Sequence, residues 1–148
     1  MNRDDLYARM MHTPDDPQRA ELRATLRETW KQLLPLHRAL IESARGEYAA
    51  GVGPVNGPNH LMQLLQEDPF FAWLRPLTAI IVDLDTLSRT DFARGDVDAL
   101  AARIEHLFGS TADADFSAHY VPVLQRDVDV AIAHAAIRQL LPRLLPVV

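Results

Sequence analysis

Apolar residues recur every three or four positions through the first third of the chain, which is the spacing of one face of an α-helix. The stripe consists of Leu22, Leu26, Trp30, Leu33, Leu34, His37, Leu40, Ile41, Ala44 and Tyr48. A capping residue and a proline, Asp16 and Pro17, mark its start, and Gly51 marks its end. The pattern predicts a helical region over residues 16–50, which Pro35 should kink or divide.

Further stretches repeat this helical spacing with clear start and stop signals. We predict the other main helical regions over residues 69–88, 96–109 and 116–145. A short helix near residues 60–67 follows a loop rich in glycine and proline, and the last region should be interrupted at Pro122 or near Asp127. No stretch alternates apolar and polar residues as a half-buried strand does. The prediction is an all-α helical bundle of four main helices plus one or two short helices, in an up-down or a crossover arrangement.

The region over residues 69–88 carries apolar residues on the side that should meet water. On an ideal α-helix Trp73, Leu77 and Ile80 share one face, whereas Phe71 and Val82 project from the other side. Apolar residues there are usually covered by a neighbouring helix or by a second subunit. The apolar C-terminal tail should also be docked. The candidate interface residues are Phe71, Val82, Leu144 and Leu145.

A segment of this same region resembles a known group of proteins. The sequence DPFFAWLRPL, residues 68–77, is similar to a segment of small bacterial all-helical proteins of uncharacterised function. The likeness extends from LHRAL, at residues 36–40, to RDVDVAIAHAAIR, at residues 126–138. The resemblance implies an all-helical fold and brings no catalytic residue with it.

The composition narrows the possible functions. The chain has 148 residues, no cysteine and a formal net charge of −5. This length is typical of a single domain, here with an N-terminal arm over residues 1–15. The lack of cysteine excludes disulfides and thiolate metal sites, and the acidic balance disfavours nucleic acid, which needs a basic surface. Because no apolar run reaches a membrane span and no signal-peptide pattern is present, we expect a cytoplasmic protein that binds neither nucleic acid nor a membrane.

Two histidines are the sharpest candidates for chemistry. His37 lies in the apolar stripe of the first helix, and His134 is aligned with apolar residues of the last. Metal-binding bundles use Glu-x-x-His, and none of the six histidines has a glutamate three residues before it. We therefore predict no metal, no cofactor and no catalytic residue, with the imidazoles satisfied by core hydrogen bonds. The candidate ligand-binding residues are His37, His134, Trp73, Arg75 and Tyr48.

Two functions are compatible with these features. The first is a non-catalytic binding or interaction module, homodimeric through the 69–88 region and the C-terminal tail, with a further protein partner possible. The alternative is a helical bundle that binds a metal or a small ligand around His37 and His134, with an oxidoreductase as its enzymatic form. This alternative requires the two imidazoles to meet around one cavity. The missing ligand spacing favours the interaction module.

Overall fold

The structure is a computed structural model that describes residues 17–109 and 113–145. These residues form six α-helices and a 3₁₀ helix, and they contain no strand. The helices are α1 (Pro17–Gly51), α2 (Pro58–Glu67), the 3₁₀ helix (Pro69–Leu74), α3 (Arg75–Arg89), α4 (Arg94–Phe108), α5 (Ala114–Arg126) and α6 (Val128–Leu144). The prediction of an all-α helical bundle is confirmed. The predicted N-terminal arm, residues 1–15, and the capping residue Asp16 lie outside the described residues.

Helix α1 is the axis around which the bundle is built. Its 35 residues span about 50 Å, and it packs along both α6 and α3. Helix α4 closes the far side by packing against α6 and α3, while α5 packs against α6 and α2 packs against the 3₁₀ helix. None of the described helices combines the length and the apolar character needed to cross a bilayer.

The extent predicted for α1 is confirmed, and of the two effects expected at Pro35, a kink or a division, the division is excluded. The helix begins at Pro17 and ends at Gly51, and it continues through Pro35, so the chain is not divided there. Its most buried face includes two polar residues, Thr25 and Thr29. Each threonine hydroxyl donates to the carbonyl four residues earlier, at 2.9 and 2.8 Å, and this internal bond is what permits the burial.

The region predicted as one helix over residues 69–88 consists of two elements. Residues Pro69–Leu74 form the 3₁₀ helix, and α3 begins only at Arg75. Asp68 caps the first element, since its carboxylate accepts from Phe70 N at 2.8 Å. Pro76 lacks an N–H and lies in the first turn of α3, where no amide has a partner within the helix, so it marks the beginning of α3 rather than its interior.

The remaining boundaries follow side-chain caps. Helix α4 begins at Arg94 rather than at the predicted Asp96, whose carboxylate instead accepts from Ala93 N at 2.9 Å. The predicted interruption near Asp127 is confirmed, because this residue caps α6 by accepting from Asp129 N and Val130 N. The predicted region over residues 116–145 is therefore two helices, α5 and α6.

Arginines close the C-terminal ends of four helices, where carbonyls have no partner within the helix. Arg75 donates to Leu65 O at the end of α2 and to Asp68 O, at 3.1 and 2.8 Å. The other three donate to carbonyls that are distant in the sequence. Arg23 donates to Ser88 O at the end of α3 and to Thr90 O just beyond it. Arg138 donates to Phe108 O of α4, and Arg94 donates to Leu144 O of α6. A planar guanidinium can reach two acceptors at once, as Arg75 and Arg23 do here.

The core is continuous through all of these elements. An aromatic cluster connects the 3₁₀ helix, α4 and α5. In it the ring of Phe116 contacts those of Phe108, Tyr120 and Trp73, with centroids 5.0–5.8 Å apart. The largest fully buried side chains are Phe71, Phe116, Leu26, Leu33, Leu36, Leu40, Leu74, Leu77, Ile80, Leu84, Ile104 and Ile137. This packing determines which of the predicted site residues can reach the surface.

Candidate functional site

His37 is half-buried between α1 and α3 and has a partner there. Its Nε2 lies 2.8 Å from Thr78 Oγ1, and that hydroxyl lies 3.2 Å from Leu74 O. Since a hydroxyl has one hydrogen, and Leu74 O accepts it, we assign the Nε2–H as the donor to Thr78. Burial lowers the pKa of His37 below its ordinary value of 6.5. The imidazole therefore serves as a neutral link between two helices.

His134 is also half-buried, and its partner is on α5. Its Nδ1 lies 2.8 Å from the hydroxyl of Tyr120, and the ring also meets Phe108 at 6.0 Å. Burial raises the pKa of Tyr120, so the phenol keeps its proton and donates it to Nδ1. The pKa of His134 is lowered, first by burial and then by the charge of Arg138. This histidine is also neutral, but it accepts a hydrogen bond, whereas His37 donates one.

The two histidines thus have separate partners on separate helices. Within the described residues no hydrogen bond or ring contact joins His37 to His134. The same part of the chain has no group of three His, Cys, Asp or Glu side chains that could hold a metal ion. These contacts do not bring the two histidines together around one cavity, which the metal- or ligand-binding alternative requires.

The other candidate ligand residues also contact their own chain. Trp73 is buried and stacks on the exposed ring of His119, with centroids 4.9 Å apart and planes 11° apart. Tyr48 packs edge-on against Phe70 at 5.4 Å. Arg75 donates hydrogen bonds to the two carbonyls described above, Leu65 O and Asp68 O. Tyr48 and Arg75 therefore connect α1 and α2 to the segment formed by the 3₁₀ helix and the start of α3, and Trp73 connects the 3₁₀ helix to α5.

The candidate interface residues divide into two groups. Phe71 and Leu144 are fully buried within the chain, so neither offers a surface to a partner, and their prediction as interface residues is wrong. Leu145 is partly buried against the core. Only Val82 has a largely exposed side chain, with 57% of its surface open. Within the described residues, these four candidates therefore do not form one exposed surface.

Two grooves on the described surface are candidates for binding a partner. The first, which we call the α3–α4 groove, is formed by two adjoining depressions of about 420 and 270 Å³ that share Arg103. Its lining residues are Pro76, Ile80, Asp83, Thr86, Leu87, Asp96, Ala99, Leu100, Ala102, Arg103, His106 and Leu107. An ion pair crosses it, with Arg103 Nη1 at 2.6 Å from Asp83 Oδ2. The surface around this pair is mainly apolar.

The second groove lies between α1 and the point where α5 meets α6, and we call it the junction groove. Its volume is about 810 Å³. Its lining residues are Ala39, Glu42, Ser43, Gly46, Glu47, Ala50, Val123, Arg126, Asp127 and Val128. Arg126 bridges it by donating to the hydroxyl of Ser43. Acidic and small apolar side chains make up most of the remainder.

Neither groove is predicted from the sequence, although the junction groove has a partial sequence signal. Ala39, Ser43, Gly46 and Ala50 recur at helical spacing on the side of α1 next to its core stripe. Small residues at such positions lower the wall of a helix and leave room beside it. Which second helix completes the groove depends on packing between segments about 80 residues apart, and no local pattern carries that information.

The comparisons with known proteins add no function. No family model, no curated protein and no solved structure matches this chain. The resemblance based on residues 68–77 therefore stays a prediction.

Proposed function

We propose that this protein is a non-catalytic helical interaction module that forms a homodimer through the α3–α4 groove. The observation that carries the proposal is an apolar surface groove in which the charged side chains already have partners in their own chain. The proposal keeps α3 as an interface helix, as the sequence predicted, and replaces the C-terminal tail with α4.

The pairing of charges in this groove supports contact with an identical surface. Asp83 is paired with Arg103 at 2.6 Å, His106 lies 3.5 Å from Asp113, and Asp96 accepts from Ala93 N. Two copies of such a surface can approach without facing an excess of one charge. The apolar lining, which includes Pro76, then supplies the favourable burial.

The shape of α4 supports the same arrangement. A twofold dimer brings the same patch of each subunit together, so the residues near its axis meet their own copies. Ala99 and Ala102 are exposed and line the groove at helical spacing. Their small side chains permit the two α4 helices to approach closely, as ridges-into-grooves packing requires. The dimer would then have a central four-helix contact formed by α3 and α4 of both copies.

We place this module in the cytoplasm. The supporting feature is the composition. The chain contains no cysteine and therefore forms no disulfide, the bond that is typical of proteins in oxidising compartments.

The experiment that tests the proposal is a measurement of molar mass by light scattering as protein concentration rises. We expect the mass to approach that of two chains, and we expect Ala102→Arg to keep it near one chain because a long charged side chain blocks the groove. The matched control is Ala24→Arg, which puts the same side chain on an exposed position of α1 outside both grooves. A wild-type protein that stays at the mass of one chain up to about 100 µM contradicts the proposal, because its dimer would then have a dissociation constant above that concentration.

A further inference from the structure

The junction groove differs from the rest of the surface in its exposed apolar side chains. Val128 lines it and has 72% of its side chain open, and Ile132, one turn further along the same face of α6, has 63% open. These are two of the most exposed large apolar residues in the described part of the chain. Val123 forms an apolar floor between the helices. Such a patch beside a groove marks a site for another apolar surface.

The charges around this groove have one sign in excess. Three carboxylates, Glu42, Glu47 and Asp127, line it against a single guanidinium, Arg126. Within the described residues Glu47 has no ion pair or hydrogen bond, and the nearest cation to Glu42 is Arg45 at 4.0 Å. A rim with an excess of carboxylates, of which Glu47 has no partner among the described residues, attracts a basic ligand and repels a second acidic surface.

We propose that the junction groove binds a basic amphipathic helix of a partner protein. The apolar face of that helix would lie on Val128, Ile132 and Val123, and its lysines or arginines would meet Glu42 and Glu47. Helix-in-groove recognition uses this combination of an apolar strip and a charged rim. A second copy of this chain is the poorer occupant, because a twofold contact would bring two acidic rims together.

The α1 wall of the groove is lined by small residues. Ala39, Gly46 and Ala50 keep the α1 wall low, so a partner backbone can approach closely. The volume of about 810 Å³ is the largest of the surface depressions described above. The site lies on α1, α5 and α6, and it is therefore separate from the α3–α4 groove and available to a dimer formed there.

The test is a titration of the full-length protein with synthetic peptides. The probe is a labelled amphipathic helix of about 18 residues, which covers about five turns, with leucine on one face and lysine on the other. Two matched peptides serve as references: one has glutamate in place of lysine, and the other has the basic composition in a scrambled, non-amphipathic order. We expect saturable binding of the basic amphipathic peptide alone, weakening as salt is raised.

Two variants locate the binding site. Val128→Glu adds an acid at the exposed apolar contact, and we expect its lost apolar contact to weaken binding about tenfold. Glu47→Arg reverses the charge of the rim, and we expect weaker binding at low salt with a smaller difference at high salt. The matched control is Met62→Glu, which changes a residue with 57% of its side chain exposed on α2, away from the groove. The three positions are exposed, so circular dichroism should show unchanged helix content.

Three outcomes overturn the proposal. They are the absence of saturable binding by the basic amphipathic peptide, equal binding of the basic and acidic peptides, and equal effects of Val128→Glu and Met62→Glu. If Val128→Glu instead lowers the molar mass of the protein and leaves peptide binding unchanged, the occupant of the groove is a second copy of this chain.

Discussion

The two grooves are both formed between helices, and they differ in how their charges are satisfied. In the α3–α4 groove, Asp83 and Arg103 form an ion pair across an apolar lining. In the junction groove, carboxylates outnumber the one guanidinium, and Glu47 has no partner within the described residues. A surface with paired charges can meet its own copy, whereas a surface with unpaired acids requires a partner of opposite sign. One fold can therefore present a self-association surface and a partner surface at the same time.

The comparison also separates the surface from the interior. Several residues predicted as ligand-binding or interface candidates instead contact other residues of their own chain. His37 and His134 are hydrogen-bonded to neighbouring helices, and Phe71 is buried in the core. Substitutions at these positions should change stability and leave association unchanged apart from the loss of folded protein. Substitutions in the grooves should have the opposite effect. Substitutions at single residues can test this difference between the interior and the grooves.

The largest effect is expected at Phe71. The side chain is fully buried and packs against Tyr48 and Phe70, so Phe71→Ala should lower the free energy of unfolding by about 3–5 kcal/mol. The control is Val82→Ala, a predicted interface residue whose exposed position makes a change within about 0.5 kcal/mol the expected result. Urea denaturation at one fixed protein concentration measures both. Equal effects of the two substitutions would contradict the division between interior and surface.

A smaller effect is expected from the ion pair of the α3–α4 groove. Asp83→Arg leaves two cations side by side in the groove, and we expect the dimer dissociation constant to rise about tenfold. Combining it with Arg103→Asp restores an ion pair of reversed direction, and most of the affinity should return. Sedimentation equilibrium measures the three proteins. If the double variant dissociates as easily as the single one, paired charges are not what makes this groove self-compatible.

The smallest effect concerns pH and the two half-buried histidines. Burial lowers the pKa of His37 and of His134 below 6.5, so between the lowered values and 6.5 the unfolded chain binds more protons than the folded one. The free energy of unfolding should therefore fall as pH drops through 6.5 and level off below the folded-state pKa values. Urea midpoints across this range measure the slope, and His37→Gln combined with His134→Gln should flatten it. An unchanged slope in the double variant would show that other groups govern the pH dependence.

Most of the fold follows from local sequence patterns. Periodicity and proline placement predict α1 closely, and Asp127 is a side-chain cap that ends one helix and starts another. Phe71 was misplaced because the prediction used α-helical geometry, with 3.6 residues per turn, for a segment that is a 3₁₀ helix with three residues per turn. A rotation of this size is enough to move a side chain from the surface to the core.

The candidate sites could not be obtained in the same way. Asp83 and Arg103 are 20 residues apart and Ser43 and Arg126 are 83 apart, so their pairing depends on how whole helices pack. The partners of His37 and His134 are likewise set by neighbouring helices rather than by spacing within one. Local patterns identify which residues are unusual, and tertiary packing decides whether each becomes a site or a support.

The most direct test of the central claim is site-specific cross-linking, which the absence of cysteine in this chain makes simple. A twofold contact through α4 would bring the two copies of Ala99 close together, within the reach of about 7 Å that a disulfide permits between Cα atoms. The account predicts that mild oxidation converts Ala99→Cys to a covalent dimer, while Ala24→Cys, exposed on α1, remains monomeric at the same concentration. No cross-link at residue 99, or equal cross-linking at both positions, would contradict dimerisation through the α3–α4 groove.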